Sequence, residues 1–539
     1  MNVFQWIKNK VYKLLGIQKL MGSPNDNRLT YINDDEKIRI TKIHEAKVWY
    51  IGDSSELLNF YTNQQTYGWA ANLMYNRNNM NMFWSKSSVE CRIKRVHSGI
   101  PRAIVDSMSN IVGKPTITSS YKSRLDAILE ENDFEFRLTQ QARPLVLVEG
   151  DGCWKININR KISEHPVLEW YGAEDWKPIV QSGKTIGLVF MSYYKDNKNK
   201  DYILYETRRL YGDGIVVEYN LFKLGKENEL FAVDDYEKIP ELKHLKDMKP
   251  IMIHGTDKLF AVPCKYYFDP LRKDRGKSLY DGKIDLFDML DEAWSQCSQT
   301  IRVSTPVTIY PVDILARNKD GTPIMPPLYN RQFVEAPVSA NRDGEQKGSG
   351  IVTEQPELNF DKYAMVIADV LSYCLIGIES PASLGIDVAK KDNADAQREK
   401  EKQTIFTRNT IIAQETKQLQ SLFEQLLIMD DYLISGKIQE QDFDISIKYD
   451  EFANPSFESE LQVLGPAWNN GQISTERYVN LLWAGKLSEE EMLEEIKWLD
   501  ENKSQDDFDM ESLMNHEKGI NDNLPGASEE EEGSPVVEE

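Results

Sequence analysis

The stretch at residues 278–304 constrains the fold most, because its apolar residues repeat with a period that suits one kind of packing. Five of them recur at steps of three or four positions: Phe287, Leu290, Trp294, Cys297 and Ile301. This is a repeat of about 3.5 residues, sustained for roughly two heptads. Acidic and amide residues occupy the other faces. We therefore predict a helix with solvated polar faces and one narrow apolar stripe, here called the seam. Such a helix is suited to stand beside other helices.

The segments after the seam predict a small module between two helices. Pro306 ends the first helix, and residues 306–359 contain short strand-like runs between prolines and glycines. A second helical pattern covers residues 360–378, and a polar loop follows at residues 379–395. Residues 394 to about 434 contain neither proline nor glycine, which predicts a helix about 60 Å long.

Before the seam, the pattern changes period near Pro144. Residues 41–113 carry apolar residues at helical spacing and are predicted to be mainly helical. Residues 144 to about 265 form short alternating runs, which predict an antiparallel meander. We expect it to begin with a strand, a tight turn at residues 150–152 and a second strand. Together these patterns predict an α+β protein.

The net charge limits how the chain can meet nucleic acid. Its 64 Lys and Arg residues stand against 86 Asp and Glu, giving a formal charge of −22. This is the wrong sign for gripping nucleic acid tightly over a broad face. About half of the charge lies in residues 505–539, which hold twelve acids and one base and are typical of a solvated disordered tail. A DNA partner would therefore be handled locally or loosely.

The sequence contains no motif of a nucleotide-hydrolysing or metal-dependent enzyme. Residues 183–185 and 276–278 resemble the end of a phosphate-binding loop, but Pro178 and Leu271 stand where that loop needs its first glycine. We interpret both segments as turns. The histidines and cysteines show no metal-binding or disulfide spacing. We therefore predict no catalytic residue, no metal and no cofactor.

The N-terminal residues form a basic amphipathic pattern rather than a membrane span. Lys8, Lys10 and Lys13 interrupt the apolar residues, and no stretch reaches the roughly 18 apolar residues that span a membrane. We expect this segment to dock on a neighbouring subunit or on the body of its own chain, with a membrane surface as the alternative. We also expect the chain to be a soluble intracellular product.

Six segments, taken in order along the chain, resemble a known family. They are "HSGIPRAIVDSMSNIVGKP" (97–115), "VEGDGCWKI" (148–156), "YGDGIVVEYNLF" (211–222), "LFDMLDEAWSQCSQTIRVS" (286–304), "SLGIDVAKKDNADAQREKEKQTIFTR" (383–408) and "GQISTERYVNLL" (471–482). On these segments the chain resembles the portal proteins of tailed double-stranded DNA bacteriophages, nearest to those of long-tailed phages that infect Gram-positive bacteria.

The resemblance implies a ring of about twelve identical subunits at one vertex of the capsid, through which DNA is packaged and later ejected. The chain would be a component of the virion, made in the host bacterial cytoplasm, and not an enzyme. Its partners would be copies of itself, the terminase large subunit that supplies the motor, the major capsid and scaffolding proteins, head-completion or adaptor proteins, and double-stranded DNA held loosely without sequence specificity.

The resemblance also implies a division of the chain into regions. These are an N-terminal basic amphipathic arm (1–40), a wing of helices and then a meander (41–277), a first stem helix (278–304), a clip (305–359), a second stem helix (360–378), a tunnel loop (379–395), a long helix that returns to the wing (396–455), a crown (456–503) and an acidic disordered tail (504–539). The seam would be the packing surface of the stem.

By the same resemblance, two further sets of residues would face partners. The tunnel loop would place five residues along the DNA channel: Lys390, Lys391, Asp392, Asn393 and Arg398. The clip would present Lys319, Asp320 and Arg331 to the terminase. Because several phosphate contacts together bind DNA tightly, a sparsely basic wall would let DNA slide. The other interpretation of the basic residues is a solvated start of the long helix.

Two other functions stay open on the sequence alone. One is a different virion component, such as a head-to-tail adaptor or a scaffold. The other is a metal-dependent DNA-processing enzyme that would use Asp285, Asp288 and Asp291 with Mg²⁺. We prefer to interpret these carboxylates as solvated or as facing a neighbouring subunit.

Overall fold

The computed structural model describes the chain in segments. These are residues 18–19, 28–30, 34–62, 82–85, 93–224, 229–246, 248–304, 307–311, 318–322, 332–336, 352–354, 359–386, 394–438, 443–449, 464–483 and 492–500. The chain divides into two compact units, Met1–Asp450 and Glu451–Glu539. Helices and antiparallel sheets are combined, which agrees with the predicted α+β class. Within the described segments, no helix is both long and apolar enough to cross a membrane.

The helices of the larger unit include the three that the sequence predicts around the small module. They are α1 (Asp34–Ile51), α2 (Ser54–Thr62), α3 (Ile100–Val112), α4 (Lys122–Glu131), α5 (Phe134–Arg137), α6 (Arg143–Glu149), α7 (Ile284–Val303), α8 (Phe360–Leu375) and α9 (Ala394–Ser435). A π-helical turn, Leu138–Ala142, joins α5 to α6. Helices α7 and α8 flank the module, and α9 lies where the sequence predicts the long helix.

The strands form sheets that are mostly antiparallel. In chain order they are β1 (Gln18–Lys19), β2 (Arg28–Thr30), β3 (Pro115–Thr118), β4 (Asp151–Asn157), β5 (Val167–Gly172), β6 (Trp176–Gln181), β7 (Lys184–Lys195), β8 (Asp201–Tyr211), β9 (Gly214–Leu224), β10 (Glu229–Ala232), β11 (Ile251–His254), β12 (Ala261–Lys265), β13 (Val307–Pro311), β14 (Gln332–Ala336), β15 (Val352–Glu354) and β16 (Ser446–Tyr449). The main sheet runs in the order β1-β2-β10-β9-β8-β7-β6, and β11 also pairs with β9. An antiparallel meander therefore lies where the sequence predicts one.

The remaining strands form three small sheets. One has the order β12-β4-β5 and another pairs β16 with β3. The third, β14-β13-β15, lies between α7 and α8 in the chain, and its β13 and β14 are parallel. The pairing of β16 with β3 ties the segment after α9 back to the segment after α3.

One predicted strand is a helix. Residues 144–149 lie in α6, with Pro144 in its first turn, where the missing N–H group leaves no hydrogen bond unmade. Nearly every residue of this helix is buried. An apolar run that is buried on all sides looks alike in a strand and in a short helix, so periodicity could not separate the two.

The glycines of the two loop-like Gly-Lys pairs are explained by backbone geometry. Gly183 has a φ of 77° and makes the turn between β6 and β7. Gly276 lies where two backbones cross, because a Cβ there would come 2.1 Å from the carbonyl oxygen of Gly150. Both positions need glycine for conformation or space.

A buried ion pair lies in the core where α6 meets α9. Arg143 donates to both carboxylate oxygens of Glu415, with Nη2···Oε1 at 2.6 Å and Nε···Oε2 at 3.0 Å. Its Nη1 donates to the carbonyl of Ser109 at 3.0 Å. The hydroxyls of Tyr266 and Tyr449 donate to the same carboxylate at 2.6 and 2.7 Å. Burial acts to raise the pKa of Glu415, but the Arg143 charge and these hydrogen bonds hold it below its usual value.

The smaller unit contains short helices. They are α10 (464–469), α11 (Thr475–Trp483) and α12 (492–500). Tyr478, Val479 and Leu482 of α11 are buried in a small apolar cluster. The ring of Trp468 stacks on that of Tyr478 with centroids 5.1 Å apart. The predicted acidic tail lies outside the described residues.

Replacing Glu415 by Gln should lower the free energy of unfolding by about 3–5 kcal/mol, because it leaves the Arg143 charge buried without a counter-ion. Urea unfolding followed by tryptophan fluorescence measures this loss. As a matched control, Glu424→Gln on the same helix removes a more exposed pair with Lys258 at 3.3 Å, which should cost less than about 1 kcal/mol. Equal losses from both variants would contradict the stated role of the buried pair.

Candidate functional site

Helices α7 and α8 lie side by side and run in opposite directions. Near the start of α7, Lys283 Nζ donates to the carbonyls of Tyr373 and Ile376 at the end of α8, at 2.9 and 2.7 Å. Near the other end of the pair, Thr300 Oγ1 lies 3.1 Å from the hydroxyl of Tyr363. The ammonium of Lys283 also offsets the negative end of the α8 dipole. In the chain, the strands of the small module lie between the end of α7 and the start of α8.

The seam divides into a buried part and an exposed part. Phe287, Leu290 and Cys297 are buried in the core of the unit. Trp294 is 43% exposed and Ile301 is 49% exposed, and the two stand one heptad apart. In a single chain the seam is therefore not one continuous packing surface. Its two exposed members lie in the C-terminal half of α7.

Helix α8 buries one apolar face and leaves several large apolar side chains exposed. Ile367, Val370, Cys374 and Leu375 are its buried residues. Met365 is 68% exposed and Tyr373 is 58% exposed. Three further large apolar side chains of this region are also exposed: Phe360, Val366 and Ile376. These exposed side chains are candidates for a surface of association.

The prediction that the polar faces of α7 are solvated is partly wrong. Asp288, Asp291 and Ser295 are buried, because they accept hydrogen bonds from segments far back in the chain. The amides of Phe83 and Trp84 donate to Asp288 at 2.7 and 3.2 Å. Burial raises the pKa of Asp288 to about 6, although these two N–H groups oppose the shift. These hydrogen bonds anchor this face of α7 to the body of the unit. The contacts of Asp288, Asp291 and Ser295 are here called the grip.

Asp291 is the centre of that grip. Its Oδ1 accepts from the amide of Ser98 at 2.8 Å, and its Oδ2 accepts from Trp84 Nε1 at 3.0 Å. His97 Nδ1 lies 2.7 Å from the same Oδ2. The His97 ring is pressed against Gly52, where a Cβ would come 2.9 Å from Nε2. Sequence reasoning missed this network, since only the acid itself is visible in the helical pattern.

The carboxylates proposed as an alternative metal site differ in burial. Asp285 is exposed, whereas Asp288 and Asp291 are buried. Both buried carboxylates already accept protein donors. In the described part of the chain, no three His, Cys, Asp or Glu side chains are grouped to hold a metal ion.

The residues expected to face partners are described only in part. Lys319 and Asp320 are exposed in a turn that the Asn318 amide and Thr322 carbonyl close at 2.9 Å. Arg331 and residues 390–393 lie outside the described residues. Arg398 falls within the first turns of α9, but its side chain also lies outside the described part. The structure therefore gives no distance between these residues.

No protein-family model matches the chain, and no curated protein matches it significantly.

Replacing Asp291 by Ala should lower the free energy of unfolding by about 3 kcal/mol, because it leaves the buried Trp84 Nε1–H and the half-buried Ser98 N–H without an acceptor. Asp285→Ala, on an exposed face of the same helix, should change it by less than about 0.5 kcal/mol. Chemical denaturation of both variants measures the difference. If the two variants were equally stable, the grip would have no energetic role.

Proposed function

We propose that this chain is the subunit of a portal-type ring, which forms the channel for double-stranded DNA at one vertex of a phage capsid. The observation that carries the proposal is the antiparallel pair of helices α7 and α8, which flank a small β module in the chain. Both helices expose large apolar side chains. A single chain leaves these side chains in water. Neighbouring copies would bury them.

The exposed side chains support contact between unlike faces. On α7 they include Trp294 and Ile301, and on α8 they include Val366 and Tyr373, each pair one heptad apart. Packing the α7 stripe of one copy against the α8 stripe of the next is a heterologous contact, which closes into a ring when the rotation permits. Each large side chain that such a contact buries fully contributes about 1.5–3 kcal/mol.

The charge pattern also supports a conduit. An acidic body with few bases near the channel would not hold DNA phosphates in place, because tight electrostatic binding needs several cationic contacts. Lys390, Lys391 and Arg398 would be the local contacts, beside Asp392 and Asn393. The chain carries no phosphate-binding loop motif, so the energy for translocation would come from the terminase docked at the clip, near Lys319, Asp320 and Arg331.

Substituting Trp294 by Asp should abolish ring formation, because it places an unpaired charge in the contact between copies. Gln296→Asp is the matched control, since Gln296 is exposed on a different face of the same helix. Negative-stain electron microscopy of the full chain should show annular particles with a central hole for the wild type and for Gln296→Asp, but not for Trp294→Asp.

Two results would contradict the assignment. A wild-type chain that stays monomeric at micromolar concentration, with scaffold or salt added, would argue against a ring. Rings that persist in Trp294→Asp would show that the contact lies elsewhere.

A Lys390→Ala, Lys391→Ala double variant should assemble normally but disturb DNA packaging or retention, because it removes the bases expected at the narrowest part of the channel. Lys417→Ala, an exposed base in the middle of α9, is the control. Counting filled and empty heads by electron microscopy measures the effect. Normal filled heads from the double variant would remove the tunnel-loop assignment.

A further inference from the structure

The segment between α8 and α9 carries a buried carboxyl group that the proposed function does not use. Glu379 is 1% exposed. Its Oε2 accepts one hydrogen bond, from the Ser107 hydroxyl of α3 at 2.9 Å. Its Oε1 is buried and has no hydrogen-bond partner among the described residues. A buried carboxylate with a single donor is unstable as an ion.

Glu379 also borders an open pocket of about 380 Å³, which is lined by residues of α8, of the segment after it and of α9. Glu379 is the one titratable side chain among the lining residues that the structure describes. Oε1 is itself buried, so water in this pocket could hydrate the carboxylate only after a small movement.

Charged groups on the surrounding elements are occupied with other partners. On α3, Asp106 accepts from Tyr50 and Arg102. Lys283 caps the end of α8, and Arg408 of α9 donates to a backbone carbonyl of α3. None of them is bonded to the Glu379 carboxyl. Among the described residues, burial and the Ser107 hydrogen bond are therefore the influences on its pKa.

The same segment links three helices. The Ser380 amide donates to Thr404 Oγ1 of α9 at 2.9 Å. Gln403 Nε2 donates to the carbonyl of Leu375, the last residue of α8, at 3.1 Å. Gly377, with a φ of 81°, adopts a conformation that is open to glycine and strained for other residues. A movement of Glu379 away from α3 would therefore disturb the contacts that connect the end of α8 with α9.

We propose that Glu379 is a proton-operated latch: its protonated carboxyl keeps residues 376–386 packed against α3, and loss of the proton lets the carboxylate turn into the neighbouring pocket and loosens this segment. The latch would set how firmly α8 is coupled to the start of α9. It stands apart from the proposed function, because it operates within one chain whether or not a ring forms.

The direction of the pH effect follows from linkage. Burial raises the pKa of Glu379 to about 7 from its ordinary value of 4.5, and the Ser107 hydrogen bond opposes the shift. The closed state therefore binds the proton more tightly than an open, hydrated state. Closed-state stability from this group is complete below about pH 4.5 and is lost as the pH rises to about 7. Opening should increase about tenfold between pH 6 and pH 8.

Hydrogen–deuterium exchange of the full chain, corrected for intrinsic rates, tests the latch. Protection of residues 376–386 should fall about tenfold from pH 6 to pH 8 in the wild type. In Glu379→Gln, which cannot ionise, the pH dependence should vanish. Asp369→Asn, which changes an exposed carboxylate on α8, should behave as the wild type. Ser107→Ala should move the transition to higher pH, because it removes the hydrogen bond to the carboxylate.

Equal corrected protection at both pH values in the wild type would overturn the latch. So would a pH dependence that persists in Glu379→Gln. If that variant fails to fold, Ser107→Ala decides the matter, since an unmoved transition would assign it to another group. These outcomes are separate from ring formation, which electron microscopy of the same sample reports.

Discussion

The arrangement of the larger unit depends on one buried ion pair, Arg143 with Glu415. Taking both charges out of water is costly, and the structure offsets that cost by giving the Glu415 carboxylate two tyrosine hydroxyls and giving Arg143 a backbone carbonyl. The donors and acceptors come from α3, α6, α9, the end of β16 and the residue after β12. Glu415 lies near the middle of α9, so this contact positions both halves of the long helix against the body.

The orientation of α7 follows from a second set of polar contacts. Asp288, Asp291 and Ser295 hold one face of the helix against the backbone amides of Phe83, Trp84, Val96 and Ser98. With that face fixed, Trp294 and Ile301 point away from the core in the C-terminal half of the helix. The grip therefore determines which apolar side chains remain available to another copy. Glu379 lies just after the C-terminal end of α8, in the segment that leads to α9.

The sequence predicts the elements better than it predicts their contacts. Helix α9 and the meander could be foreseen, because absence of proline and glycine and alternation of apolar residues are local properties. The fully buried helix α6 could not be separated from a strand, since its pattern has no polar side. The burial of Asp288 and Asp291 was missed because their donors lie about two hundred residues earlier. Nothing in the sequence around Glu379 reveals that Ser107 would be its partner.

The central claim is that copies of this chain cover the exposed faces of α7 and α8 by forming a closed ring. The mass of the purified full chain in solution tests this most directly, measured by mass photometry or sedimentation velocity at micromolar concentration. A closed ring predicts a single large species of about twelve subunits, each of 62.2 kDa. A stable species of 62.2 kDa, with the apolar faces left in water, would contradict it.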